Sequence, residues 1–292
     1  MMLNRVTIII PTTCADERCE SLRRAVRSLL TQDIGYPSIL VVANGPRVNA
    51  ALLKEIASYP QVEVLRLEEG SLPRAIALGR AHVATPYFGF LDDDDEYLPD
   101  ALRLRLQVLD GDLTAALCAT DGYDFVDGCD HLRETVYPET LEDPLRGLLK
   151  ANWLASCGGL YRSDLVPARF FDGVTKYYEW TLLAYKLAAS QRVLLLNTPT
   201  YRLYESPGSL SRSEAYRLAE PDVLKQTCLL DLPKDVRRAL RKRVARAYHS
   251  LSSYYLREDR LRDAWGFHAL SLFQPSGWQY LSFTARLIQR SL

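Results

Sequence analysis

Four consecutive aspartates, Asp92 to Asp95, directly follow the apolar segment formed by residues 87–91. That segment is predicted to be a buried β-strand, and adjacent carboxylates repel one another, so folding alone does not require such a cluster. In an extended chain, residues two apart point to the same side, which predicts that Asp92 and Asp94 face one side together. The strand must therefore end at an edge of its sheet that is open to solvent or to a ligand.

The segments before this strand alternate between strand and helix periodicity. Strands are predicted at residues 6–10, 38–43, 62–67 and 87–91, with helices at residues 22–30, 49–59 and 72–83. This alternation is typical of an α/β fold with right-handed crossovers, a parallel sheet and helices on both faces. Ligands of such sheets bind beyond the carboxyl ends of the strands. There this chain has Pro11, Thr12, Thr13, Asn44 and the aspartates.

The second part of the chain adds further strands and then becomes helical. Strands are predicted at residues 114–120 and 193–196, and a hairpin at residues 123–137 turns at Asp127 and Gly128. Helices are predicted at residues 145–154 and 179–189. From residue 214 onwards the pattern is helical throughout. The sequence thus predicts an α/β domain over residues 1–213 and an α-helical C-terminal extension over residues 214–292.

The aspartate run has two interpretations. Mg²⁺ and Mn²⁺ bind carboxylate oxygens and complete their coordination with phosphate oxygens, so Asp92 and Asp94 could hold such an ion beside a diphosphate. The alternative is an exposed acidic loop that caps the following helix, because runs of charge are usually solvated. The position of the run at a strand end, beside two other strand-end loops, favours the metal site.

Taken in order along the chain, several short segments resemble a known family. They are VTIIIPTT at 6–13, GSLPR at 70–74, ATPYFGFL at 84–91 before the aspartates, GGLYR at 158–162, YEW at 178–180 and YRLY at 201–204. This set resembles the family 2 glycosyltransferases, which have the GT-A fold. The resemblance implies a Rossmann-like, mixed and mainly parallel sheet flanked by helices. It also implies that residues 1–110 bind the nucleotide sugar and residues 111–213 bind the acceptor.

For the donor side, the resemblance implies a nucleotide-sugar site built from strand-end residues. Pro11, Thr12, Thr13 and Asn44 would border the nucleobase, and Arg74 would reach the diphosphate or the acidic motif. Asp92, Asp93 and Asp94 match the acidic DxD motif, with Asp92 near the ribose and Asp94 on a Mg²⁺ or Mn²⁺ ion. Tyr204 stands where many family members have a histidine that helps to bind the metal or diphosphate, and this function either passes to Arg202 or Arg212 or is lost.

For the acceptor side, the resemblance implies an inverting displacement with one catalytic base. Glu179 matches the acid that removes the proton from the acceptor hydroxyl. The acceptor pocket would include Gly158, Gly159, Tyr178 and Trp180. The alternative for Glu179 is an acid at the start of a helix that the helix dipole stabilises, and the catalytic role is favoured over it.

Two departures from the family pattern leave an alternative function open. Ala43 and Asn44 replace a pair of aspartates that often recognises uracil, and Tyr178-Glu179 replaces Glu-Asp. The first departure weakens the case for uracil recognition, although a UDP-sugar, as the family default, is the first guess for the donor. The alternative is a catalytically inactive module of this family that binds a nucleotide sugar without transferring it.

The charge distribution bears on partners. The formal net charge is zero, which gives no reason to expect nucleic acid. The predicted extension is nevertheless basic, with one acidic residue among Lys234, Asp235, Arg237, Arg238, Arg241, Lys242, Arg243 and Arg246. This surface is expected to be a solvated helix face, a homodimer contact, or a peripheral contact with an anionic membrane and a lipid-linked acceptor. The scattered cysteines and the lack of a signal-peptide pattern predict a cytoplasmic protein.

Overall fold

The computed structural model describes residues 4–34, 37–173, 176–205 and 213–292. The chain divides into two compact units, Met1–Pro207 and Gly208–Leu292, and each is described by itself.

Within the described residues, nine strands of the first unit form one mixed sheet. They are β1 (Val6–Thr12), β2 (Ser38–Asn44), β3 (Val62–Leu67), β4 (Tyr87–Phe90), β5 (Glu96–Tyr97), β6 (Ala115–Val126), β7 (Cys129–Leu132), β8 (Gly159–Arg162) and β9 (Arg192–Tyr204). Their order is β3-β2-β1-β4-β8-β6-β9-β5, with β7 paired to β6. The first four strands are parallel, β8 is antiparallel to both neighbours, and β6 and β9 are parallel.

Helices cover this sheet as the alternating pattern predicts. They are α1 (Cys19–Leu30), α2 (Ala50–Ile56), α3 (Leu72–His82), α4 (Ala101–Gly111), α5 (Pro138–Glu142), α6 (Pro144–Gly147) and α7 (Glu179–Ser190). Every residue of β1 is buried, as expected for a strand with helices on both faces. The α/β fold class is confirmed, including the hairpin turn at Asp127 and Gly128, which both have positive φ.

The sheet brings the carboxyl ends of β1, β2 and β4 together. β1 lies between β2 and β4, so the residues after each of these strands meet at one edge. Two close approaches depend on glycine: a Cβ at Gly79 would lie 2.5 Å from an Ile9 methyl carbon, and one at Gly122 would lie 2.2 Å from the Tyr201 ring. The helices and strands around this edge are therefore packed tightly enough to fix its loops.

The second unit is helical in its described part. Its helices are α8 (Glu214–Cys228), α9 (Lys234–Arg257), α10 (Leu261–Leu272) and α11 (Ser282–Ser291). Aromatic contacts join them, including Tyr255 stacked on Phe267 at 5.3 Å and His249 stacked on Tyr280 at 4.1 Å. None of the helices in the described ranges is both long enough and apolar enough to span a membrane.

Candidate active site

The four aspartates alternate in burial, although the run is not extended as predicted: the Asp95 backbone N–H donates a hydrogen bond to the Asp92 carbonyl at 3.2 Å and closes a turn. Asp93 and Asp95 are 8% and 5% exposed, whereas Asp92 and Asp94 are half-buried. The run lies at the carboxyl end of β4, between the ends of β1 and β9. It therefore has an inward pair, Asp93 and Asp95, and an outward pair, Asp92 and Asp94.

Asp93 is held by the end of β1. The Thr12 hydroxyl donates a hydrogen bond to Asp93 Oδ2 at 2.5 Å and accepts one from the Cys14 backbone N–H at 2.8 Å. Burial raises the pKa of Asp93 to about 6, although the nearby Arg18 charge and the Thr12 hydroxyl oppose that rise. Asp93 thus links the end of β4 to the end of β1, and its side chain points inward, away from the open side of the sheet edge.

Asp95 is held in the same way by the end of β9. Its Oδ1 atom accepts a hydrogen bond from the Tyr204 backbone N–H at 3.0 Å. The Tyr204 hydroxyl donates to Glu96 Oε1 at 3.0 Å, and the Arg24 guanidinium lies 3.6 Å from the centre of the Tyr204 ring. Burial first, and then the charges of Asp92 and Asp94, raise the pKa of Asp95 well above its usual value.

Asp92 is close to the segment that carries Glu179. Burial, followed by repulsion from Asp94, raises the pKa of Asp92 to about 7, and a hydrogen bond with the Ser156 side chain opposes the rise. The negative charge of Glu179 makes a smaller contribution to the same rise. The ring contact between Phe90, two residues before Asp92, and Trp180, next to Glu179, brings the two segments together.

Glu179 is the first residue of α7 and is 8% exposed. Its Oε1 atom accepts a hydrogen bond from the Tyr177 backbone N–H at 2.9 Å. Burial raises its pKa. Tyr177 and Tyr178 both have left-handed backbone conformations, with φ of 72° and 56°. Such conformations are unfavourable for aromatic residues and are found mainly where the surrounding structure imposes them, often at functional sites.

Three of the residues predicted to line the acceptor pocket, Trp180, Gly158 and Gly159, pack against aromatic side chains. The half-buried Trp180 contacts Phe90 of β4 with ring centres 5.1 Å apart. Gly158 and Gly159 are buried where β8 begins, and a Cβ on Gly159 would lie 2.9 Å from the Tyr161 hydroxyl. Close packing explains the small residues here, and a role for Gly158, Gly159, Tyr178 and Trp180 in acceptor binding stays a prediction.

The predicted nucleobase residues lie at the same edge, but Asn44 already has two partners. Its side chain donates to the Thr12 carbonyl at 2.9 Å and accepts from the Ser71 backbone N–H at 3.0 Å, so it ties β1 to the start of α3. Pro11 is buried at the end of β1, and Thr13 is exposed beside it.

Of the arginines predicted to bind the diphosphate, Arg74 does not contact the aspartate run in the described structure, and Arg202 pairs with Glu96 and Asp130. The Arg74 side chain is 58% exposed and forms an ion pair with Glu69. Arg212 lies outside the described residues. Arg18, which the sequence reasoning did not single out, contacts the motif instead: its Nη1 atom lies 2.7 Å from Asp94 Oδ2 and 3.3 Å from Asp93 Oδ1. The sequence feature that could have identified Arg18 as a site residue is its position in the segment after β1, which follows a predicted strand end.

A divalent cation fits the outward pair of aspartates. Among the described residues, no group of three or more His, Cys, Asp or Glu side chains is arranged to enclose a metal ion. Mg²⁺ bound with a nucleotide needs only one or two carboxylates, because phosphate oxygens and water supply the remaining ligands. Burial first, and then the negative charge of Asp94, raises the pKa of Asp92, and a bound ion would favour its ionised form. Asp92 and Asp94 are therefore suited to hold the metal together with a diphosphate.

A cavity of about 400 Å³ lies at the opposite edge of the sheet. Its lining includes Thr7, Ser38 and Val62 at the amino ends of β1, β2 and β3. No titratable pair of the kind found at the aspartates lines it, so the edge with the aspartates is the better candidate for chemistry.

Comparison with known proteins agrees with this geometry. The sequence model of the family described as glycosyl transferase family 2 matches residues 7–165, which is more than half of the chain. A teichoic acid poly(glycerol phosphate) polymerase from Staphylococcus epidermidis is 27% identical over 231 residues, covering 73% of this chain. The match spans 30% of that polymerase's length.

Solved structures match most of the fold at low sequence identity. A crystal structure of S. aureus TarS 1–349 in complex with UDP-GlcNAc superposes with a TM-score of 0.67 at 15% identity, covering 90% of this chain and 80% of that one. The complex of TarS 1–349 with UDP gives a TM-score of 0.59 at 17% identity, covering 85% and 72%. At these identities the matches establish the fold.

Proposed function

Because this chain belongs to glycosyl transferase family 2, we propose that it transfers a sugar from a nucleotide-diphosphate donor to an acceptor hydroxyl with inversion. The observation that carries this proposal is the arrangement at one sheet edge. There Trp180, the residue after the buried Glu179, contacts Phe90 at the end of β4 with ring centres 5.1 Å apart, and the charge of Glu179 contributes to the raised pKa of Asp92. A UDP-sugar is the first candidate donor, because TarS, which shares the fold, was solved with UDP-GlcNAc and with UDP.

Asp92 and Asp94 would hold Mg²⁺ or Mn²⁺ with the donor diphosphate. The bound ion would neutralise negative charge that builds on the departing diphosphate. Thr12 and Tyr204 would support the site by holding Asp93 and Asp95 inward. Pro11, Thr13 and Asn44 would border the nucleobase at the ends of β1 and β2.

Glu179 would remove the proton of the acceptor hydroxyl. The hydroxyl oxygen then forms a bond to the anomeric carbon as the bond from that carbon to the diphosphate oxygen breaks, and the nucleoside diphosphate leaves with the electron pair. Burial raises the pKa of Glu179, so its ionised form is a stronger base than an exposed glutamate. The Tyr177 N–H fixes the carboxylate, and Trp180 beside Phe90 would exclude water from it.

The acceptor we propose is a hydroxyl of a glycan or lipid-linked precursor in the synthesis of a cell-surface polymer. The S. epidermidis relative is named as a polymerase of poly(glycerol phosphate), which suggests a polyol phosphate chain as one such acceptor. The match covers only part of that protein, so the polymer is a proposal for this chain.

We further propose that the protein acts on the cytoplasmic side of a membrane and contacts it through the helical unit. Exposed apolar side chains occur at the end of α10 and before α11, with Phe273 86% and Trp278 74% exposed. The basic residues of α9 could attract anionic lipid, and the alternative for the same surface is a homodimer contact. We do not expect nucleic acid as a partner.

Calorimetric titration with UDP, GDP, dTDP and CDP, each with and without Mn²⁺, tests the proposal. We expect one nucleotide to bind tightly only when the metal is present, and the corresponding nucleotide sugar to be turned over by the wild type but not by Glu179→Gln. Binding of a nucleotide without turnover of its sugar on any hydroxyl acceptor, including water, would support the inactive binding module instead.

A further inference from the structure

Arg18 provides a positive charge at the acidic motif that no residue in the proposed mechanism supplies. It ends the 3-10 turn Asp16–Arg18, which joins β1 to α1 at the carboxyl edge of the sheet. Its side chain is 33% exposed, so it lies at the boundary between the packed interior and the open side of the site.

Within the described residues, the side-chain contacts of Arg18 use one of its three guanidinium nitrogen atoms. Nη1 pairs with Asp94 Oδ2 at 2.7 Å and with Asp93 Oδ1 at 3.3 Å. Within the described part of the chain, the Nε and Nη2 atoms have no hydrogen-bond partner. A guanidinium presents its donors as a planar fork that matches two oxygens of a phosphate, so the unused side of Arg18 could receive one.

We infer that Arg18 serves as the counter-cation of the acidic motif before the donor binds and contacts the donor diphosphate afterwards. This inference rests on the proposed function, because Asp94 is also a proposed metal ligand. A divalent ion on Asp94 would displace the guanidinium from that carboxylate, since the two cations compete for the same oxygens. The released guanidinium would then lie beside the diphosphate that the ion brings, where it would bind the oxygens of the leaving group.

Arg18 would thereby take the role that the sequence resemblance assigned to Arg74. Arg74 is paired with Glu69 on the surface, whereas Arg18 is already in contact with the motif. Replacing Arg18 and replacing Arg74 should therefore change diphosphate binding differently, so the two substitutions form a matched pair of variants.

The test uses the full chain and three probes: MnCl₂ alone, pyrophosphate with saturating Mn²⁺, and UDP with saturating Mn²⁺. In Arg18→Met, we expect Mn²⁺ alone to bind about tenfold more tightly, because a competing charge-assisted contact is lost. Both diphosphate probes should bind about tenfold more weakly, because their own contact with the guanidinium is lost. The affinities of Arg18→Lys for the three probes should lie between those of the wild type and those of Arg18→Met. The affinities of Arg74→Met should resemble those of the wild type.

Opposite changes for metal and diphosphate distinguish this role from a structural brace. Weaker binding of Mn²⁺ and of diphosphate together, or no change in either, would overturn the inference, as would the opposed pattern appearing in Arg74→Met. UDP binding that needs no Mn²⁺ in the wild type would instead count against the metal in the proposed function. Loss of that binding in Arg18→Met would still support the diphosphate contact.

Discussion

Replacing Glu179 with glutamine should lower activity and raise stability at the same time. The glutamine keeps the size of the side chain and an oxygen that can accept the hydrogen bond from the Tyr177 N–H. It removes only the negative charge and the basicity. Loss of a general base typically costs about 10²–10⁴-fold in rate, so we expect kcat to fall within that range with little change in KM for the donor.

The stability of this variant should depend on pH in a defined direction. Because burial raises the pKa of Glu179 in the folded protein, the folded state favours the protonated carboxyl. The free energy of unfolding of the wild type should then decrease as the pH rises from the ordinary value of 4.5 through the raised folded value. Each unit of the raised pKa corresponds to about 1.4 kcal/mol. Glu179→Gln should therefore be more stable than the wild type at neutral pH and equal to it at acidic pH.

Glu214 provides a matched control, since it is also the first residue of a helix. Its side chain is 40% exposed, and hydrogen bonds from Tyr255 and Arg260 lower its pKa. Its ionised form therefore favours the folded state, so Glu214→Gln should lose stability at neutral pH and keep full activity. Chemical denaturation between pH 4 and 8, with initial rates on the same samples, measures both effects. Glu179→Gln that is fully active, or less stable than the wild type at neutral pH, would refute the reasoning and favour a helix-start acid stabilised by the dipole.

Three further predictions test the packing, the metal and the membrane contact. Gly122→Ala should lower the free energy of unfolding by about 1–3 kcal/mol, because its Cβ would lie 2.2 Å from the fully buried Tyr201 ring. Gly111→Ala, with nothing within 4 Å of its Cβ, should raise it by about 0.5 kcal/mol in the same denaturant titration. Asp94→Asn and treatment with EDTA should each abolish Mn²⁺-dependent nucleotide binding in calorimetry, and only the EDTA effect should be reversed by added Mn²⁺. Trp278→Ala should reduce co-sedimentation with phosphatidylglycerol vesicles, and unchanged co-sedimentation would remove Trp278 from the proposed membrane contact.

The sequence predicted the first half of the sheet well, because β1, β2 and β4 are almost entirely buried and form continuous apolar runs. β3, at the end of the strand order, is only partly buried, and its alternation of apolar and charged residues still matched the predicted range 62–67 at both ends. Strands β6 and β9 were predicted too short. Both continue into polar residues beyond the core, where Arg202 pairs with Asp130 and Glu96, and pairs between distant segments leave no periodic signal.

Within the site, a residue's chemical type could be predicted but its partner could not. The alternation of the aspartates was predicted from the geometry of an extended chain; the structure shows the alternation in their burial, but the run itself forms a turn. Which arginine meets them depends on how the turn after β1 is positioned against β4, a contact between residues 75 positions or more apart. The left-handed pair Tyr177 and Tyr178 is likewise imposed by surrounding structure, since neither residue favours that conformation.

The uninterrupted run of four aspartates can be explained by two tasks that alternate along it. Asp93 and Asp95 point inward and accept hydrogen bonds from Thr12 at the end of β1 and Tyr204 at the end of β9. They tie three strand ends together, which fixes the backbone from which Asp92 and Asp94 project. A motif with acids only at the outward positions would keep the proposed metal ligands but lose these ties. Burying two carboxylates beside two others is unfavourable because it removes charge from water and adds repulsion. The buried pair nevertheless holds Asp92 and Asp94 in place before any ligand binds.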